Sequence, residues 1–349
     1  MKTTHILSSS IVLGVVALFA FAPWSAAPVK SSLAPESSSQ VRSVEITYAT
    51  EVHGIPANAK RVEIWLPYPQ SDDHQKVLKS KVSSPVPSKI LTDPQYQNKI
   101  VHIDLKNPEV TDIPVTLVFS VVRTEYVHND FPAVVNNTAA PDPSLDRWLQ
   151  PDRLVPLDKR IQELSATVVA GKIADLDKAR AIYDYVIANM TYDKTPVGCC
   201  NGDIIWACDA KRGNCSDFHS LFIGLARAAG IPAKFEIGLP LATDKPSADI
   251  SGYHCWAEFY LKGYGWVPID ASEAWKDPAR KDFFFGALDA NRVQFSVGRD
   301  ITLATPQAGP PLNYFIYPYV EVDGKPFTHI TKKFTYKNLN ANPTTAAVR

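Results

Sequence analysis

The most constraining stretch of this chain runs from Gly213 to Asp270. After Cys215, apolar side chains recur at Phe218, Leu221, Phe222, Leu225 and Ala228 to Ala229, and the run closes at Gly230 with Pro232 beyond it. That spacing predicts a helix whose first turn holds Cys215. Two aromatic and apolar runs come next, Tyr253 to Tyr260 and Trp266 to Asp270, separated by the turn-rich Lys262-Gly263-Tyr264-Gly265. They are predicted to pair as a hairpin.

This arrangement suits nucleophilic chemistry. At a helix start the unpaired N–H groups and the positive end of the dipole favour a thiolate and a developing oxyanion. A hairpin centred on Lys262 sets His254 directly opposite Asp270 on one face, so that an imidazole meets a carboxylate. Singly, Cys215 reads as a buried inert thiol, His254 as a strand histidine and Asp270 as a strand-end turn former. Jointly they read as nucleophile, base and orienter. His219, four residues after Cys215, is expected to be a locally bonded helix residue, and Asp217 to favour the helix start electrostatically. Trp256 and Trp266 flank the site as walls of a substrate groove or as core aromatics.

The motifs Gly213-Asn214-Cys215, Ala228-Ala229-Gly230-Ile231-Pro232-Ala233, His254-Cys255-Trp256-Ala257-Glu258 and Gly265-Trp266-Val267-Pro268-Ile269-Asp270 resemble the core of the transglutaminase-like superfamily of thiol enzymes. The resemblance covers roughly Asp175 to Glu273, and the tail from Phe283 to Pro318 is similar to the segment after this core in exported bacterial members. It implies an α+β fold, a transglutaminase/papain-like core in which the Cys-bearing helix packs on an antiparallel sheet. It also implies acyl transfer or hydrolysis at a carboxamide or peptide bond, with a protein or peptide substrate; no motif in the chain implies a metal or organic cofactor. A non-catalytic binding protein that retains the fold is the second reading.

The chain has 349 residues with 36 basic and 36 acidic side chains, so the basic footprint of a nucleic-acid binder is absent. Lys2, the apolar run from Ile11 to Ala22 and the small residues Ser25 to Ala27 have the layout of a secretory signal peptide over 1–26, which implies a periplasmic or extracellular protein. The run is shorter than a membrane span, and an uncleaved anchor is the alternative. Export makes disulfides possible. With Cys215 reserved as nucleophile, Cys199, Cys200, Cys208 and Cys255 remain, and a bridge from Cys208 to Cys199 or Cys200 is expected. A zinc site from Cys199, Cys200, Cys208, Cys215 and His219 competes, but these spacings lack the paired C-x2-C pattern, so no metal is assigned.

Residues 27–40 are rich in Ser, Pro and Ala and read as a disordered tether. Alternation at Val44–Tyr48, Val62–Leu66, Val101–Leu105 and Val115–Val121 predicts strands of an N-terminal all-β domain over 41–138. A linker is read at Ala139 to Pro143, then helices from Leu157 to Val169 and from an N-cap at Asp175 to Met190. The catalytic domain spans 139–337, with strands at 293–297, 314–322 and 330–336 expected to finish its sheet, and 338–349 is a polar tail.

Overall fold

The computed structural model describes residues 40–132 and 142–339. The signal peptide, the tether up to residue 39, the 139–141 part of the linker and the tail beyond Leu339 lie outside the described residues.

The N-terminal strands are β1 (Val41–Val52), β2 (Arg61–Tyr68), β3 (Gln75–Ser83), β4 (Lys89–Thr92), β5 (Lys99–Lys106), β6 (Ile113–Thr124) and the two-residue β7 (Tyr126–Val127). Where one face is buried the alternation is plain: Val44, Ile46, Tyr48 and Val52 on β1 are buried, as are Val115, Leu117, Phe119 and Val121 on β6. β3 and β4 escape the sequence reading because they are edge strands whose side chains are largely exposed, with lysines at 76, 79, 81 and 89.

Next come α1 (Lys159–Val168), α2 (Asp175–Asn189), β8 (Thr191–Tyr192), α3 (Ile204–Ala210), β9 (Arg212–Gly213) and α4 (Cys215–Ala228). The N-cap of α2 is Ala174, so Asp175 is the first helical residue and pairs with Lys178 instead of capping. Asp142, at the end of the expected linker, caps a short 3-10 turn at Pro143–Leu149. α4 is buried on every side from Cys215 to Arg227, between α1, α2 and α3 on one flank and the sheet on the other. Such a helix has no solvent face to polarise its pattern. Gly224 permits the close approach of α3, since a Cβ there would collide with Ile204.

The chain then runs through β10 (Ala233–Pro240), β11 (Ser247–Ile250), β12 (His254–Leu261), β13 (Gly265–Ile269), α5 (Ala271–Lys276), β14 (Ala287–Leu288), β15 (Arg292–Val297), β16 (Tyr319–Val322), β17 (Lys325–Pro326) and β18 (Ile330–Asn338). An antiparallel sheet ordered β13-β12-β10-β15 packs against α4, giving a mixed helix and sheet fold with the expected core.

The expected split into an N-terminal β-domain and a catalytic domain that keeps its C-terminal strands needs correction. Of the three late strands only β15 joins the α4 sheet, at β10. β16 pairs with β2, and β18 pairs with β1 from Val44↔Asn338 to Val52↔Ile330 and with β11 on its other edge. The two N-terminal sheets are therefore β11-β18-β1-β6-β3 and β17-β16-β2-β5-β4, each completed by strands from the far end of the chain, and the described residues form one compact unit. Alternation reports which face of a strand is buried and carries nothing about its partner, which is why the split failed. Among the described residues no helix is long and apolar enough to cross a membrane.

Candidate active site

Asn214 is the N-cap of α4: its side chain accepts from Ser216 N at 2.8 Å, while Asp217 Oδ2 accepts from Asn214 N at 2.9 Å, a reciprocal capping box. The buried Asp217 carboxylate also takes Cys200 N at 2.9 Å and Gly202 N at 3.0 Å, tying the preceding loop to the helix start. Gly213 has φ +149°, and a Cβ there would collide with that carboxylate. Cys215 is thus the first helical residue, 1% exposed, in a turn whose geometry is fixed from both sides.

β12 and β13 pair from Ala257↔Ile269 to Leu261↔Gly265, so the hairpin is centred on Gly263 and not on the expected Lys262. Moving the centre by one residue moves every partner by two, which preserves side-chain parity. His254 and Asp270 are accordingly diagonal neighbours beyond the last paired rung instead of a directly opposed pair. Asp270 Oδ2 lies 2.6 Å from His254 Nε2.

Asp270 is wholly buried and fully committed. Oδ1 accepts from Ser272 Oγ at 3.0 Å and from Glu273 N at 2.9 Å as the N-cap of α5, and Oδ2 accepts from Arg292 Nη1 at 2.8 Å. Burial alone would raise its pKa, but His254 and Arg292 hold it well below the carboxylate range. Burial likewise pushes His254 down; the Asp270 charge and hydrogen bond, then the Cys215 thiolate, overcome this and raise it to about 10. For Cys215, burial pushes the thiol up, while hydrogen bonds to Cys255 and His254 and the charge of His254 outweigh it and hold it well below a free thiol. With Nε2 spent on Asp270, Nδ1 is the nitrogen left to face the sulfur.

His219 is fully buried; its Nδ1 sits 2.8 Å from the Cys215 carbonyl and its Nε2 accepts from Ala271 N at 3.2 Å, which selects the Nδ1–H neutral tautomer. It joins α4 to the start of α5, with Nε2 3.6 Å from Asp270 Oδ1. The Tyr253 hydroxyl donates to the Cys200 carbonyl at 3.0 Å and lies 2.9 Å from both Asn214 Nδ2 and Ser216 Oγ. Arg292 and Tyr253 were not singled out from sequence: one is an Arg inside a short strand pattern, the other an aromatic at a strand start, and neither acquires meaning until the sheet is assembled.

Other expectations change. Trp256 is completely buried and donates Nε1–H to Glu236 Oε2 at 2.6 Å, so it is a core aromatic and walls no groove. Trp266 lines a cavity, but none of Cys215, His254 and Asp270 does. The bridge expected from Cys208 is not formed: Cys199 and Cys200 are bonded to each other, and Cys208, Cys215 and Cys255 are free. An even count of cysteines constrains how many pair, not which, and Cys208 is held within α3. The residues of the zinc alternative do not converge either. Among the described residues the cluster of ligand atoms within 4.8 Å of one another is Cys199, Cys200 and Asp217, and two of these are disulfide sulfurs with no thiolate to offer.

Residues 162–271 match the family model of the transglutaminase-like superfamily. The matched segment, which holds α4, β12, β13 and Asp270, is similar to the core of that superfamily. It is 28% identical over 315 residues to an uncharacterized protein of Haemophilus influenzae, spanning 79% of this chain and 85% of that one. It is also 28% identical over 150 residues to the uncharacterized protein YebA of Bacillus subtilis, spanning 39% of this chain and 20% of YebA. A crystal structure from Cytophaga hutchinsonii, described as that of a candidate cysteine protease, superposes with a TM-score of 0.58 at 18% identity, covering 87% of this chain and 92% of that one, and so shares the fold.

Proposed function

We propose that this protein is an exported thiol enzyme that cleaves or transfers the acyl group of a carboxamide or peptide bond, with Cys215 as nucleophile, His254 as acid and base, and Asp270 as orienter. The observation that carries the reading is the 2.6 Å contact between His254 Nε2 and Asp270 Oδ2 beside a thiol held low at the start of α4. The Cys215 sulfur attacks the carbonyl carbon, forming a C–S bond and an oxyanion. Ser216 N, Asp217 N and Phe218 N are occupied by Asn214, which leaves Cys215 N–H as the first-turn amide for that oxyanion. The imidazolium of His254 gives its proton to the departing amine, then takes one from water as the acyl-enzyme is hydrolysed. Asp270, anchored by Arg292, keeps its charge and holds the ring throughout.

Water is the favoured acceptor in an exported enzyme, and transfer to an amine is the alternative outcome of the same chemistry. The experiment incubates the mature protein with a glutaminyl and peptide-amide library, with and without a primary amine, and identifies products by mass spectrometry. Hydrolysed products that vanish in Cys215→Ala support the reading, while amine-linked products assign a crosslinker. No turnover by the wild type, with Cys215 inert to alkylation, leaves a binding protein that retains the fold.

A further inference from the structure

Between the sheet of β10 and β12 and the N-terminal strands lies a cavity of about 620 Å3. Arg123, from β6, lines it and is 3% exposed. Among the described residues its Nε is buried without a hydrogen-bond partner, and its ion pair with Asp72 spans 3.7 Å, beyond hydrogen-bond distance. A buried guanidinium without an acceptor is costly, and it presents a planar fork that matches a carboxylate. Its neighbours differ in this respect: Lys234 Nζ is already shared by Glu236 at 3.1 Å and Glu258 at 3.0 Å.

We propose that this cavity binds a small monoanionic carboxylate with a flat apolar body, its carboxylate gripped by Arg123. Trp266, Tyr126 and His128 supply aromatic surface for the body. Asp72 and Glu236 stand close to the guanidinium in charge, which disfavours a dianion such as phosphate. Burial, then the charge of Glu236, raises Glu258 to about 8, so at neutral pH it keeps a proton, held against Glu236, and sets no full negative charge against the ligand. The cavity contains no group of the Cys215 site, so the inference is independent of the proposed acyl chemistry.

The test is calorimetric titration of the full chain with benzoate, with its neutral isostere benzamide and with inorganic phosphate, at pH 7. Benzoate is expected to bind, benzamide and phosphate to bind at least ~10-fold more weakly, and Arg123→Met to weaken benzoate by ~10- to 100-fold, the worth of a charge-assisted bidentate contact. Cys215→Ala is expected to bind benzoate like the wild type. The Arg123→Met melting temperature is expected to change by less than ~5 °C, because among the described residues the side chain makes no hydrogen bond and Asp72 loses only an ion partner at 3.7 Å. Absence of benzoate binding, equal binding of benzamide or phosphate, or unchanged benzoate affinity in Arg123→Met would each overturn the proposal. Loss of binding in Cys215→Ala would place the ligand at the active site instead. A variant that melts at least ~5 °C lower or fails to fold would make Arg123 a structural partner of Asp72.

Discussion

Asp270→Asn separates the electrostatic role of Asp270 from its place in the fold. His254 stands at about 10 against an ordinary 6.5. That gap corresponds to about 5 kcal/mol in favour of the imidazolium, net of a burial penalty that opposes it. Asp270 is the foremost of the opposing influences, so removing its charge leaves burial against Cys215 alone, and the ion pair reverts toward neutral thiol and imidazole. An asparagine oxygen still caps Glu273 N. Arg292 keeps Asp289 at 3.4 Å but loses its 2.8 Å partner, a cost of roughly 1 to 3 kcal/mol. The folded variant is therefore expected to lose about 10³- to 10⁴-fold in turnover. Its Cys215 alkylation by iodoacetamide, read by peptide mapping across pH, should move toward that of an ordinary thiol. The melting curve controls for folding. A folded variant whose alkylation profile stays within about twofold of wild type at every pH would refute the reasoning.

The same structure sets three further outcomes. The imidazolium of His254 contributes stability that is complete below its unfolded 6.5 and lost as pH rises through about 10, while the depressed thiol of Cys215 contributes stability that is lost as pH falls through its folded value. Hence kcat/KM should hold a plateau that falls on the alkaline side near 10, and an alkaline limb near 6.5 would contradict the pairing. Non-reducing digestion should yield a peptide in which Cys199 and Cys200 are joined, with Cys208 alkylated without prior reduction under denaturing conditions; a peptide linking Cys208 to either would restore the bridge expected from the cysteine count. Gly224→Ala should cost about 1 to 3 kcal/mol in chemical denaturation, because its methyl meets Ile204 where α3 crosses α4, and a neutral change would show that α3 yields freely.

The local elements of the candidate site were more legible than the frame that holds them. Cys215 at a helix start, and the strands of His254 and Asp270, are local patterns, readable from a period of 3.6 or 2 and a glycine turn. Parity survived the misplaced hairpin centre because the error was one whole residue: Gly263 replaced Lys262, and the partners moved by two. The features that stayed hidden depend on chain segments far apart in sequence. Arg292 reaches Asp270 only through the pairing of β15 with β10, and β18 closes on β1 across nearly the whole chain. Edge strands β3 and β4 were missed because lysine-rich, exposed edges lack the apolar alternation that betrays a buried face. Trp256 has the same sequence signature whether it walls a groove or fills a core, and its bond to Glu236 decided the matter.

The central claim is that Cys215 forms the acyl-enzyme. Intact-mass analysis of the protein quenched in acid during turnover of an activated amide or ester tests it, with peptide mapping of the adduct. The account predicts one acyl group on Cys215, accumulating further in Asp270→Asn if deacylation slows more than acylation, and absent from Cys215→Ala. Turnover with the acyl group on Cys208 or Cys255, or turnover that persists undiminished in Cys215→Ala, would contradict it.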